Sequence, residues 1–150
     1  MIDKKTFKKT FAAPLEKAGF VKRGQTWYLD GKDVLIAINL QKSNWSELYY
    51  VNIGFWLKGL GEATFPEFYD CHLHYRIHDF FPEKSDLIFA SCSLDESTLE
   101  KLDEFSRFME DELIPFLKEC TDVQKLRELM ALGKLDKGLI RKEARQYLSS

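Results

Sequence analysis

Two stretches near the middle of the chain alternate apolar and polar residues with a period of two, and they constrain the fold more than any other feature. In the first, Val34, Ile36, Ile38 and Leu40 fall on one side, and Leu35, Ala37, Asn39 and Gln41 on the other. In the second, Tyr49, Val51, Ile53, Phe55 and Leu57 oppose Tyr50, Asn52, Gly54 and Trp56. Successive side chains of a strand point to opposite faces, so each run predicts a strand with one apolar face. Ser43, Asn44, Trp45 and Ser46 separate the two runs as a loop. An antiparallel sheet with one apolar face suits helices packed on a single side.

The flanking sequence supplies those helices. Phe7, Phe11, Leu15 and Ala18 form one stripe of a helix over residues 4–18, with Lys4, Lys5, Lys8, Lys9 and Lys17 off it. Pro14 predicts a kink or a restart, and Gly19 sits where a left-handed cap would end the helix. The segment from Phe20 to Leu29 reads as a strand broken at Gly24, and Asp30 with Gly31 reads as a hairpin turn. Asp70 to His78 alternates again, and Leu87, Ile88, Phe89 and Ala90 suggest a short fifth strand. Ser97 with Glu100 has the capping-box spacing, followed by Leu99, Leu102, Phe105, Met109, Leu113 and Phe116 at helical intervals. Pro115 is expected to bend or end that helix near Cys120. Further helices are expected at about 122–132, stopping at Gly133, and at 137–148, capped by Asp136 with Leu135 and Ile140 as a hydrophobic staple. The expectation is one α+β domain over residues 1–150, with three to five antiparallel strands. Helix and sheet fall in 1–95 and a helical part of the same domain in 96–150.

Charge is uneven along the chain. Residues 1–23 carry seven Lys/Arg against two acids, residues 60–119 five against fifteen, and residues 134–150 five against two. Such blocks mark solvated helix faces, or, at the acidic stretch, a surface for a basic partner. The N-terminus lacks the apolar stretch of a signal peptide, and no apolar run approaches the ~20 residues of a membrane helix. With three cysteines and no CxxC pair, the sequence points to reduced thiols and a cytoplasmic protein without a membrane partner.

Several short motifs occur in a fixed order: Ala18, Gly19 and Phe20 with Trp27 and Tyr28; the run Asn39 to Ser43; Asn52, Ile53 and Gly54; then Cys71 and His72 with Arg76. In this order the chain resembles a bacterial family of uncharacterised proteins, the domain of unknown function 4304, over about residues 5–80 and more weakly through the C-terminal helices. The resemblance implies a bacterial, cytoplasmic protein and brings no activity with it. His74 and His78 lie outside the shared pattern, so a histidine-based function would be particular to this chain.

The candidate chemistry is thin. All three histidines fall in the run from Cys71 to His78. On a strand His72 and His74 share a face and could hold a metal with Asp70 or Asp79; on a helix His74 and His78 could do the same. Arg76 on that strand face would repel the cation, so no metal and no cofactor are expected. Cys71 and His72 are strand neighbours pointing to opposite faces and cannot pair as nucleophile and base. The carboxylate pairs Asp95 and Glu96, Asp103 and Glu104, and the run Glu110 to Glu112 belong to a solvated helix side. No GxSxG elbow or glycine-rich phosphate loop is present. Arg141, Lys142 and Arg145 on a last helix invite a helix-turn-helix reading, but a pI near 6.0 argues against nucleic acid.

What remains is the polar side of the sheet: Asn39, Gln41, Tyr50, Asn52, Trp56, His72, His74 and Arg76. Rings supply rigid contact area, and amides and arginine supply directional bonds, the mixture that recognition surfaces favour. Either this face is open and holds a protein partner, in the manner of an adaptor or an immunity protein, or later helices cover it as a satisfied polar layer. The alternative function is a small metal-dependent enzyme centred on His72, His74 and His78.

Overall fold

The computed structural model describes residues 1–150 and is α+β. Helix α1 (Lys4–Lys17) is capped by Asp3, whose Oδ1 accepts the Thr6 N–H at 2.7 Å. It runs through Pro14 without interruption. In the last turn proline removes a single ladder bond, and its buried ring offsets that loss. Gly19, at φ 100°, closes the helix: its N–H reaches Glu16 O, and the Phe20 N–H reaches Leu15 O. Those two bonds satisfy end carbonyls and turn the chain into the sheet.

Six strands follow one another in space as they do in sequence, all antiparallel: β1 (Val21–Arg23), β2 (Thr26–Asp30), β3 (Val34–Lys42), β4 (Tyr49–Leu57), β5 (Leu73–Arg76) and β6 (Leu139–Ile140). The sequence reading allowed at most five. The run from Phe20 to Leu29 divides at Gly24 into two strands, β1 and β2, and a further pairing comes from β6, two residues that leave no periodic signature. They occupy ground expected to be helix: α6 (Lys142–Leu148) begins only after them, and its N-cap is Arg141 rather than Asp136. Pairing with β5 holds Leu139 and Ile140 in the sheet, and Leu135 goes into the core instead of stapling a helix.

Three other expectations are corrected. Leu87 to Ala90 is not a strand but part of α2 (Ser85–Cys92), which buries Ile88, Ser91 and Cys92 at helical spacing. A four-residue apolar run cannot by itself separate the two periods. The strand expected over 70–78 is confined to Leu73–Arg76, because Ile77–Asp79 turns away as a 3-10 helix. Helix α3 (Leu99–Phe108) is capped by Thr98, not Ser97: the Thr98 hydroxyl accepts the Lys101 N–H at 3.1 Å. A π-helical turn, Met109–Leu113, joins α3 to α4 (Ile114–Glu119) without a break, Pro115 follows directly on that turn, and the helix ends at Glu119 with Cys120 as its cap. Helix α5 (Val123–Ala131) ends as expected before Gly133.

All these helices lie on one side of the sheet. Phe7 and Phe11 of α1 meet Tyr49 and Trp27 with ring centroids 5.1 and 5.2 Å apart, and Phe105 of α3 packs near Phe11. Ile36, Ile38, Ile53, Phe55 and Leu73 complete the layer beneath them and are fully buried. Each such side chain contributes about 1.5–3 kcal/mol of transfer free energy, so this layer dominates the stability.

The opposite, outer face carries no helix. Residues 58–72 cross part of it as a strap containing two 3-10 turns, Lys58–Leu60 and Phe68–Asp70. Beneath the strap Tyr28, Leu35, Ala37 and Cys71 form a second, small core with Trp56 and Phe68. The strap comes this close because of Gly54: a Cβ there would lie 2.7 Å from Cys71 Sγ and 2.9 Å from Phe68 O. No helix is long and apolar enough to cross a membrane.

Candidate functional site

The strand register sorts the outer face into rows. One row runs across five strands as Arg23, Thr26, Asn39, Asn52 and Arg76, each facing the next. The neighbouring row toward the β3–β4 hairpin holds Gln41 opposite Tyr50. Asn52 Nδ2 donates to Asn39 Oδ1 at 3.2 Å and to Gln41 Oε1 at 3.0 Å. Asn39 Nδ2 donates in turn to Thr26 Oγ1 at 3.0 Å and to the Gln25 carbonyl at 3.2 Å. Linked amides of this kind hold their own rotamers, which fixes the shape of the surface before anything binds. Arg76 lies over the Tyr50 ring at 3.9 Å, and its backbone N–H donates to Asp79 Oδ2 at 2.8 Å.

Asn39, Gln41, Tyr50 and Arg76 therefore surround Asn52, itself buried, on the half of the outer face that the strap leaves open. Trp56, His72 and His74 share the face but belong to the covered half. Trp56 donates its Nε1–H to Gly61 O at 2.9 Å and packs on the His72 ring at 4.4 Å. His72 is buried, and its Nδ1 accepts the Leu57 N–H at 2.9 Å. That bond requires a neutral ring, and burial holds the His72 pKa below its ordinary value. Burial does the same to His74, aided by the nearby Arg141 cation, and the ring stands edge-on to Phe68. Those three side chains secure the strap.

His78 falls on the turn after β5, beside Asp79 and the Phe89 ring, away from the other two histidines. Nowhere do three His, Cys, Asp or Glu side chains gather closely enough to hold a metal ion. The cysteine thiols are no better placed for chemistry. Cys71, Cys92 and Cys120 are buried, and burial pushes each thiol up to about 12. Thiols held that high stay protonated at neutral pH and are poor nucleophiles. Arg141, considered above for DNA, is committed elsewhere: its Nε and Nη2 donate to Cys71 O and Tyr69 O at 3.1 and 3.2 Å.

Sequence reasoning missed one residue. Trp45, at the tip of the β3–β4 hairpin, is 95% exposed and stands at the Gln41–Tyr50 end of the open patch. The signal was available, since an indole in a Ser-Asn-Trp-Ser turn has no strand face on which to bury itself. The largest recess, about 700 Å³, opens between the strap and β1–β2 and is lined by Val21, Tyr28, Leu35, Lys58, Glu62 and Phe65 among others. Lys58 is neutralised there by Asp30, and the recess presents no nucleophile with a base beside it.

No curated protein and no solved structure matches the chain. The sequence model of the family described as domain of unknown function (DUF4304) matches residues 11–119, which span the second half of α1, strands β1 to β5 and helices α2 to α4. With that match over more than half of its length, the chain belongs to the domain of unknown function 4304 family.

Proposed function

We propose that the open half of the outer sheet face binds a protein partner, and that the chain acts as a cytoplasmic binding module of the adaptor or immunity type rather than as an enzyme. The observation that carries this reading is Trp45, 95% exposed on the hairpin loop between Gln41 and Tyr50, on the same hairpin as the stacked Tyr50 and Arg76 pair. Leaving an indole in water forgoes about 2 kcal/mol or more of burial free energy. Trp, Tyr and Arg are also the residue types that dominate binding energy at interfaces. The prearranged amides beside them lower the ordering cost of binding. Three buried free cysteines suit a reducing compartment.

The test is capture from lysate by the wild-type protein, by a Trp45→Ala, Tyr50→Ala variant, and by a Leu99→Ala control that trims an exposed side chain on α3. Trp56 is left intact because its removal would loosen the strap. A partner held by wild type and control and lost by the double variant is the expected result. Equal capture by all three would overturn the proposal.

A further inference from the structure

The two ends of the polar row differ from everything between them. Arg23 on β1 and Arg76 on β5 are in no ion pair, whereas Lys42 is matched by Glu47 and Lys58 by Asp30. Each guanidinium is instead laid against an aromatic ring: Arg23 over Phe65 at 4.4 Å and Arg76 over Tyr50 at 3.9 Å. Stacking fixes the plane of the group and leaves its N–H edge free, the geometry that pairs bidentately with a carboxylate. The amides between the arginines already bond to one another, so the two arginines are the charges of this row without an ionic partner.

We infer that the partner docks through an extended acidic segment lying across the strands, one carboxylate on Arg23 and a second on Arg76. This rests on the open face being an interface. Four inter-strand spacings of ~4.8 Å put the two arginine Cα atoms about 19 Å apart. An extended peptide covers that distance in about six residues, and residues six apart point to the same side, so both acids can face the sheet. Between the arginines Thr26 and Asn52 are buried and Asn39 is half-buried, so the intervening residues of the segment meet a surface with its hydrogen bonds already made. Exposed Glu62, Glu67 and Asp70 on the strap disfavour an acidic chain over the covered half, and Arg23, stacked on the strap's Phe65, stands at the border where the track along the open half begins. The same acids, with a net charge of -2, disfavour a polyanion bearing a phosphate at every step.

The test uses isotope-labelled protein and a Gly/Ser dodecapeptide carrying two glutamates six positions apart, observed by NMR. The expected result is a saturable shift of the Arg23 and Arg76 side-chain Nε–H signals, weakened by salt. Arg23→Gln or Arg76→Gln should each weaken binding about tenfold, with the lysine variants intermediate because an ammonium lacks the fork. Three results would overturn the inference: no arginine response, an equal response to a peptide with glutamates three positions apart, or tighter binding of a thymidine dodecanucleotide. Capture experiments separate the two proposals. A lysate partner lost with Trp45→Ala, Tyr50→Ala but indifferent to Arg23→Gln, Arg76→Gln keeps the interface and removes the acidic segment. Peptide binding at the arginines without any captured partner supports the acidic site and counts against the interface.

Discussion

Tyr28 and Tyr50 lie on the same face of the same sheet, two strands apart, and they are used in opposite ways. Tyr28 is buried beneath the strap, its ring edge-on to Phe65 at 5.2 Å and its hydroxyl donating to Pro66 O at 2.9 Å. Tyr50 stays half-exposed, with only the Arg76 guanidinium laid on it. The strand period put both rings on the outer side, but a loop distant in sequence decided which would become core. Alternation thus specifies direction, and coverage specifies role.

That contrast can be broken most directly at Tyr28. Tyr28→Ala should destabilise the fold by about 3 kcal/mol, from lost burial and the cavity left under the strap. Tyr28→Phe should lose about 1 kcal/mol for the hydrogen bond alone. Urea unfolding measures both. A Tyr28→Ala cost no larger than that at Tyr50 would mean that the strap is not a packed part of the fold.

The next effect in size concerns pH and also belongs to the covered half. Burial lowers the His72 and His74 pKa values below their ordinary 6.5 in the folded state, so on acidification the unfolded chain takes up protons first. Their contribution is fully present above pH 6.5 and is lost as the pH falls toward the folded-state values. His72→Asn supplies a non-titrating acceptor for the Leu57 N–H and should flatten part of that slope while preserving stability at pH 7.5. An unchanged slope in urea midpoints between pH 7.5 and 5 would show that His72 does not titrate differently on folding.

The smallest effect is expected in the open half. Tyr50→Ala should change stability by only about 0.5–1 kcal/mol, the worth of one partly exposed cation–π contact. A loss approaching that of Tyr28→Ala would make Tyr50 a structural residue and weaken its place in the proposed binding surface.

The sequence predicted β3 and β4, and with them the side on which Asn39, Gln41, Tyr50 and Asn52 emerge, because nine-residue alternation leaves no other register that buries Ile36, Ile38, Ile53 and Phe55 together. It could not separate His72 and Trp56 from that group. Their withdrawal depends on Gly61 O, the Leu57 N–H and the path of the strap, none of which has a periodic signature. Residues 139–140 misled for a related reason. Basic and apolar residues near a chain's end satisfy helical expectations, and only the free edge of β5 tells them to pair. Trp45 was legible and overlooked, because turns are read for their backbone signals and seldom for a bulky side chain stranded on them.

Arg141 fastens the strap from far along the chain. Its side-chain bonds to Cys71 O and Tyr69 O close loops of 70 and 72 residues, and its own N–H donates to His72 O. On the ribosome, where residues are added in order, β3 and β4 with their amide row are made well before Arg141 exists. The open half of the face is thus among the early parts of the protein to be synthesised, while the last fastening of the other half waits for a residue past the family's matched span. Until that arginine arrives, the small core around Tyr28 and Cys71 lacks its last three hydrogen bonds. A chain ending before residue 141 would hold the strap by Trp56 on Gly61 O and Tyr28 on Pro66 O, without the clamp on carbonyls 69, 71 and 72.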